Sequence, residues 1–363
     1  MNTPREAAAR FALAGALAGV APFRQGHINE SYVVTVGGPA AARRYLLQRI
    51  NTAVFGQPAE MMENIRRVTQ HLHHMLARER DPRRRVLRPV PGRDGDLTVR
   101  DSEGGWWRMY ELIEGAVTFE LVREPWQAEQ AGAAFGTFQR WLASYDGPRL
   151  FETIAGFHDT AARYAALERA VERDAAGRVA QAQREIDFVM DRRALAGVLA
   201  EPRAAGVIPE RIVHNDAKLT NVLFAAGGRD WLCVVDLDTV MPGLSLFDFG
   251  DMVRSMTSPT AEDEPELTRV GVRRELFAAL AAGYLRAAGP MLTPTERELL
   301  VSAGLLITLE QAVRFLTDYL EGDVYYRVAH PRHNLQRCRV QIRLIESIES
   351  QRSELEALVR ELT

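Results

Sequence analysis

One run of forty-one residues, 211 to 251, constrains this chain more than any other part of it: RIVHNDAKLTNVLFAAGGRDWLCVVDLDTVMPGLSLFDFGD. An apolar run ends in His214-Asn215-Asp216, a polar loop carries Lys218 and Asn221, and a β-rich run from Trp231 to Val235 ends in Asp236-Leu237-Asp238. These are the parts needed to hold a magnesium-bound triphosphate in line with a hydroxyl, a task of positioning and charge more than of covalent chemistry. Asp216 is placed to accept the hydroxyl proton, Asn221 and Asp236 offer hard oxygen ligands for Mg²⁺, and Lys218 supplies a compact point charge for the γ-phosphate.

Composition sharpens the reading of Lys218. It is the only lysine in the chain, so the 45 basic residues are 44 arginines and this one. Arginine serves wherever a solvated positive charge is enough, and the one lysine stands two residues after the candidate base, where an ammonium and a planar guanidinium are not equivalent.

The spacing matches the protein-kinase catalytic loop H-R-D-L-K-P-E-N position for position, with lysine at Asp216 plus two and asparagine at Asp216 plus five. Variants of that loop mark the kinase-like small-molecule phosphotransferases, and the chain resembles the aminoglycoside phosphotransferase and choline kinase group. Within it, the strings G-H-I-N-E-S-Y, L-L-Q-R-I-N-T, H-N-D-A-K-L-T-N, D-L-D-T-V-M-P-G, F-D-F-G-D and R-F-L-T-D-Y-L-E-G-D, spread over residues 10 to 350, resemble the bacterial N-acetylhexosamine 1-kinases. The resemblance implies a protein-kinase-like bilobal α+β fold, with ATP as co-substrate, Mg²⁺ as cofactor and the anomeric hydroxyl of N-acetylglucosamine or N-acetylgalactosamine as acceptor. A related kinase for another sugar, an amino alcohol or homoserine is the alternative. A kinase fold used only for binding is disfavoured because base, lysine, asparagine and metal aspartate are all present.

Asp248-Phe249-Gly250 spells the kinase D-F-G, yet spacing argues against a metal there. Asp236 follows Asp216 by twenty residues and Asp248 follows it by thirty-two, whereas the metal aspartate ends the strand soon after the loop. Asp248 is expected instead as a helix N-cap or a buried partner of the loop backbone.

In the first third, residues 1 to 23 read as an amphipathic helix rather than a secretory signal, because Glu6 interrupts the basic region and the apolar stretch is short. Val20 to Phe23 and Tyr32 to Val36 read as paired strands. The loop between them, 26 to 31, is expected to fold over the nucleotide phosphates, with Gly26 against the nucleotide and His27 and Asn29 reaching into the cleft, His27 toward the acceptor. Arg43 to Ile50 is a strand at the place where kinases carry a phosphate-gripping lysine. Here Gln48 or Arg49 must do that work, or backbone groups must. Pro58 to Arg80 has helical periodicity, and Trp106 to Ile113 completes a small sheet. Glu111 and Ile113, at its exit, are where backbone groups would hold adenine. A nucleotide lobe over 1–113 and a catalytic, sugar-binding lobe over 114–363 follow.

The second lobe reads as helices over 125–145, 159–174, 178–199, 264–288, 294–319 and 336–362. In chains that resemble this one, the segment from Arg314 to Tyr326 closes the sugar site, with Arg314 on hydroxyls and Tyr325 against the ring. Asp238 is expected on the same side of the strand as Asp236, binding metal or a substrate hydroxyl. Two cysteines are too few for a disulfide framework, which points to a reducing cytoplasm. A net charge of −3 gives no case for nucleic acid. No unbroken apolar run of 18 residues is present, so no membrane span is expected. Monomer and homodimer both remain compatible with the sequence.

Overall fold

A computed structural model describes residues 3 to 23, 28 to 38, 42 to 78 and 81 to 363. Gly26 and His27 lie outside the described residues. Helix α1 (Thr3–Ala9) is shorter than expected. Gly15, at φ 145°, turns the chain into β1 (Leu17–Phe23), which pairs antiparallel with β2 (Glu30–Val36). The alanine- and glycine-rich stretch that suggested helix is recruited as an edge strand, because pairing outweighs a weak local propensity.

After β3 (Arg43–Arg49), α2 (Pro58–Met75), β4 (Val99–Arg100) and β5 (Trp106–Glu111), the first sheet is complete in the order β1-β2-β3-β5-β4. Alternation along its strands separates two faces. One carries Val34, Leu47, Trp107 and Met109 into a small core closed by Ala7, Ala8 and Phe11. The other presents Gln48, Arg108 and Tyr110, and Tyr110 joins the main core.

The second lobe contributes β6 (Ala116–Val117), α3 (Pro125–Leu142), α4 (Thr160–Arg173), α5 (Gln183–Met190), α6 (Gly197–Ala204), β7 (Arg211–Val213), β8 (Val222–Ala225), β9 (Trp231–Val234), β10 (Met241–Gly243), α7 (Ser245–Met256), α8 (Arg274–Ala288), α9 (Pro294–Glu298), α10 (Leu300–Glu321) and α11 (His333–Leu362). The helix expected over 178–199 is divided, with a 3₁₀ turn at Arg193–Ala196 between α5 and α6. Helices α3 and α8 meet backbone to backbone: a Cβ on Gly283 would stand 1.9 Å from the Glu129 carbonyl oxygen. Helix α10 is long and apolar enough to pass for a membrane span by composition, but most of it is buried inside the lobe. It is the central helix, flanked by α4, α7 and α11.

Candidate active site

The catalytic loop starts where β7 ends. Asn215 takes a left-handed φ of 64°, uncommon for a residue other than glycine, and the surrounding bonds hold it there. The backbone N–H groups of His214 and Asn215 donate to the two oxygens of Asp248, at 3.0 and 2.7 Å. Asn215 Nδ2 donates to the Thr239 carbonyl at 2.9 Å, and the Thr239 hydroxyl donates to the His214 carbonyl at 2.7 Å. Gly243 on β10 allows this crowding, since a Cβ there would come within 2.6 Å of Val213 Cγ2 and 2.9 Å of Asn215 Oδ1. The His214 ring bridges the carbonyl of Val235 (2.9 Å) and the N–H of Asp216 (3.3 Å), which assigns its proton to Nε2.

Asp248 therefore belongs to the scaffold. Its carboxylate also accepts from Gln139 Nε2 at 2.7 Å and is fully buried, so both oxygens are committed to protein donors. It lies in the first turn of α7 rather than at the N-cap, which is Leu244; the backbone-partner reading is the one the structure shows. Burial pushes its carboxyl upward, against the donors that favour the ionised form.

The loop brings Asp216, Lys218 and Asn221 together. Lys218 Nζ stands 3.0 Å from Asp216 Oδ2, and Asn221 Nδ2 donates to the carbonyl and to Oδ2 of Asp216 at 2.8 and 3.1 Å. Burial acts to raise the Asp216 carboxyl, but Lys218, His214 and Arg254 together outweigh it and hold the group below its usual value. For Lys218 the balance runs the other way: burial disfavours its charge, and Asp216, Asp251 and Asp236 together keep it protonated.

Asp236 lies beside them, because the Val235 N–H donates to the Asn221 carbonyl at 2.9 Å. It also takes a left-handed φ, 61°, as the chain leaves β9. Its side chain is exposed to the cleft, and the surrounding protein, followed by the charges of Asp238 and Asp216, pushes its carboxyl up to about 6. No hydrogen bond or ion pair is made to it among the described residues. A carboxylate so placed fits a cation, and Asn221 Oδ1 adds a second hard oxygen while its Nδ2 is spent on Asp216. Among the described residues no group of three acidic, histidine or cysteine side chains gathers around one point. A Mg²⁺ ion held here would take one or two protein oxygens and complete its shell with phosphate and water.

Three expectations are corrected. Asp238 does not face the site with Asp236, because β9 stops at Val234 and residues 237 to 239 form a 3₁₀ turn. Both of its oxygens are taken: Arg108 grips them as a fork, with Nη2 to Oδ2 at 2.9 Å, and Asn29 Nδ2 donates to Oδ2 at 2.9 Å. Arg49 points to the wrong face of the sheet, its guanidinium near Glu30 and Glu103 at 4.0 and 3.9 Å. Gln48 is on the cleft side, but its amide is occupied, donating to Ser31 Oγ at 3.1 Å and accepting from Arg108 Nε at 3.0 Å. The buried cation at this place is Arg108, from the adjacent strand.

Glu111 and Ile113 flank the crossover between the sheets. The Glu111 N–H is already bonded to the Arg88 carbonyl at 2.9 Å, and the Ile113 side chain packs on the main core.

Helix α10 carries Arg314. Its guanidinium donates to Gln311 Oε1 at 3.2 Å and lies 5.2 Å from the Phe157 ring centroid and 5.8 Å from that of Tyr326. It makes no ion pair among the described residues. Arg254, bound to Asp251 and Glu262, is near enough to influence both Asp216 and Arg314. Tyr325 is 57% exposed and stacks edge-on against Tyr326. The turn bearing both tyrosines hangs on the Asp318 carboxylate, which accepts the N–H groups of Val324, Tyr325 and Tyr326 at 2.7 to 2.9 Å.

Sequence reasoning missed Arg108, Asp251, and the pair His158 and Glu310. Glu310 accepts from His158 Nδ1 (2.8 Å) and Thr160 (2.6 Å), and His158 Nε2 donates to the Asn215 carbonyl at 3.2 Å. Asp251 holds Arg254 with Oδ1, while its buried Oδ2 has no partner. An arginine alternating with aromatic residues in W-W-R-M-Y was the available clue for Arg108.

Comparison with known proteins agrees with this geometry. Residues 19 to 300 match the family model described as the phosphotransferase enzyme family. The chain belongs to that family and has its protein-kinase-like fold. An aminoglycoside phosphotransferase from Alicyclobacillus acidocaldarius aligns over 99% of this chain and 96% of its own at TM-score 0.62 and 15% identity. A choline kinase from Cryptosporidium parvum aligns over 93% and 90% at TM-score 0.51 and 13% identity. An aminoglycoside 2'-phosphotransferase solved with GDP aligns over 96% and 94% at TM-score 0.54 and 12% identity. At these identities the likeness is one of fold.

Proposed function

We propose that this phosphotransferase moves the γ-phosphoryl group of ATP, with Mg²⁺, to the anomeric hydroxyl of an N-acetylhexosamine. Asp216 is the base, Asn221 and Asp236 hold the metal, and Lys218 meets charge developing on the γ-phosphate. An ionised aspartate is a weak base, and the anomeric hydroxyl, more acidic than an ordinary alcohol, suits it. The metal supplies charge neutralisation on the phosphates; the chain supplies alignment and the proton acceptor.

The observation that carries the acceptor class is the wall around Arg314. A guanidinium in no ion pair among the described residues, with the Glu310 carboxylate near enough to favour its charge and with Phe157 and Tyr326 bracketing it, offers free donors that suit a neutral polyol better than a cationic amino alcohol. The guanidinium donates to hydroxyls while the rings take the apolar face of the sugar. The two free, buried cysteines fit a protein kept in the cytoplasm.

Free sugars and their methyl glycosides, incubated with Mg²⁺ and ATP and read by product mass, test the reading. Free N-acetylglucosamine and N-acetylgalactosamine are expected to be phosphorylated and the glycosides to be inert. Equal turnover of the glycosides would place the phosphoryl group on another hydroxyl, and turnover of choline or ethanolamine alone would overturn the acceptor class.

A further inference from the structure

The cleft face of the first sheet contains a buried chain of polar contacts that joins the two lobes. Gln48 on β3 and Arg108 on β5 stand directly opposite in the antiparallel register, so their side chains leave neighbouring points of one face. Arg108 is 1% exposed, and its three donor groups are committed: Nε to Gln48, Nη1 and Nη2 to the two oxygens of Asp238. Asp238 lies two residues beyond Asp236 and is also held by Asn29, whose own Oδ1 accepts the Asn51 N–H at 3.0 Å. The Thr153 hydroxyl closes on the Asp238 carbonyl at 2.9 Å.

The turn carrying Asp236 is thus bolted to the small sheet by one bidentate ion pair. A fork of this kind fixes orientation as well as distance. Leu237 and Asp238 sit in a single 3₁₀ turn starting from the left-handed Asp236, so a displacement of Asp238 carries Asp236 with it.

We propose that Arg108 is a positioning residue for metal-nucleotide binding: through Asp238 it sets the place of Asp236, and it is this arginine on β5, not a side chain on β3, that links the sheet to the metal turn. The inference rests on Asp236 holding the metal, and it is independent of which acceptor is used.

A purely structural fastener and a positioning device respond differently when the whole pair is replaced. Exchanging a buried ion pair for apolar residues of similar volume is commonly neutral or stabilising, whereas removing one partner is not. The doubly substituted Arg108→Met, Asp238→Leu protein is therefore expected to fold and to melt near the parent temperature, lowered only by the Asn29 and Gln48 amides that lose a partner. It should bind Mg·ADP more weakly by on the order of 10- to 100-fold, the range seen when the support of a metal ligand is lost. Affinity for ADP without Mg²⁺ should change little, because the defect travels through Asp236. Isothermal titration with no acceptor present reads both affinities, and a thermal melt reads the stability. Arg108→Lys keeps a buried cation but loses the fork, and a smaller loss confined to Mg·ADP is expected. Parent-like Mg·ADP affinity in either protein, or equal losses for Mg·ADP and ADP, overturns the proposal; should the double variant fail to fold, the lysine variant decides alone.

Discussion

The catalytic loop and the wall facing it are built on opposite plans. Around Asp216 the backbone is clamped by Asp248, the His214 ring, Thr239 and Asn215. On the wall, Arg314 has one neutral partner and Tyr325 stands mostly in solvent. Groups that stabilise developing charge act best when fixed beforehand, so that no reorganisation is needed as the reaction proceeds. Groups that recognise an acceptor need free donors, and these remain on the wall. On the proposed reading, the chemistry is preassembled and the specificity is left open until the acceptor arrives.

The sharpest way to break this contrast is at the two aspartates on either side of it. Asp236 has no protein partner, so Asp236→Asn should fold normally, lose Mg·ADP binding and abolish turnover. Asp248 has three donors and no vacancy. Asp248→Asn should cost about 1–3 kcal/mol of stability, because an amide leaves one of the buried backbone donors without an acceptor, while Mg·ADP affinity survives in the folded fraction. Thermal melts and titration calorimetry on both proteins give the answer. The reverse pattern, a stable Asp248→Asn protein that no longer binds metal-nucleotide, would return the metal to the D-F-G aspartate.

A smaller effect is expected from Lys218→Arg, which keeps the charge and changes its shape. Loss of a fixed cation aimed at developing charge costs on the order of 10² to 10³ in turnover, and the fold should be unaffected. Because no other lysine exists, an amine reagent should inactivate the protein through one label on the peptide containing Asp216, with Mg·ATP protecting it. Full labelling without loss of activity would separate the lysine from the chemistry.

The mildest change belongs to the open wall. Arg314→Gln removes a charged donor with no protein counter-ion to strand, so the acceptor KM should rise about 10-fold while the KM for Mg·ATP stays put. A matching rise in both would mean that Arg314 acts on the cleft as a whole.

The preassembled half was also the legible half. Asp216, Lys218 and Asn221 lie within six consecutive residues, and a short loop between strands keeps such neighbours together whatever the rest of the chain does. The distance from Asp216 argues the metal away from Asp248 without tertiary detail, and of the two roles this leaves open, N-cap or partner of the loop backbone, the structure shows the second. The misplaced residues depend on pairing across long stretches of chain. Arg108 meets Gln48 only through the β3–β5 register and meets Asp238 from 130 positions away. Arg49 and Gln48 are adjacent in sequence, and only the sheet's two faces decide which of them turns to the cleft. Asp238 was assigned by extending a strand that in fact ends at Val234.

Helix α10 has a consequence for how the chain is made. Its 22 residues are as apolar as a membrane segment, and in the finished molecule α4 and α7 cover it on one side and α11 on another. Synthesis delivers α4 and α7 before α10 and α11 after it. A nascent chain that has just completed α10 can therefore shelter one flank and must hold the other bare until the last thirty-residue helix emerges. Chains truncated between Gly322 and Arg332 and released from the ribosome should recruit chaperones that chains extended through Leu362 no longer need.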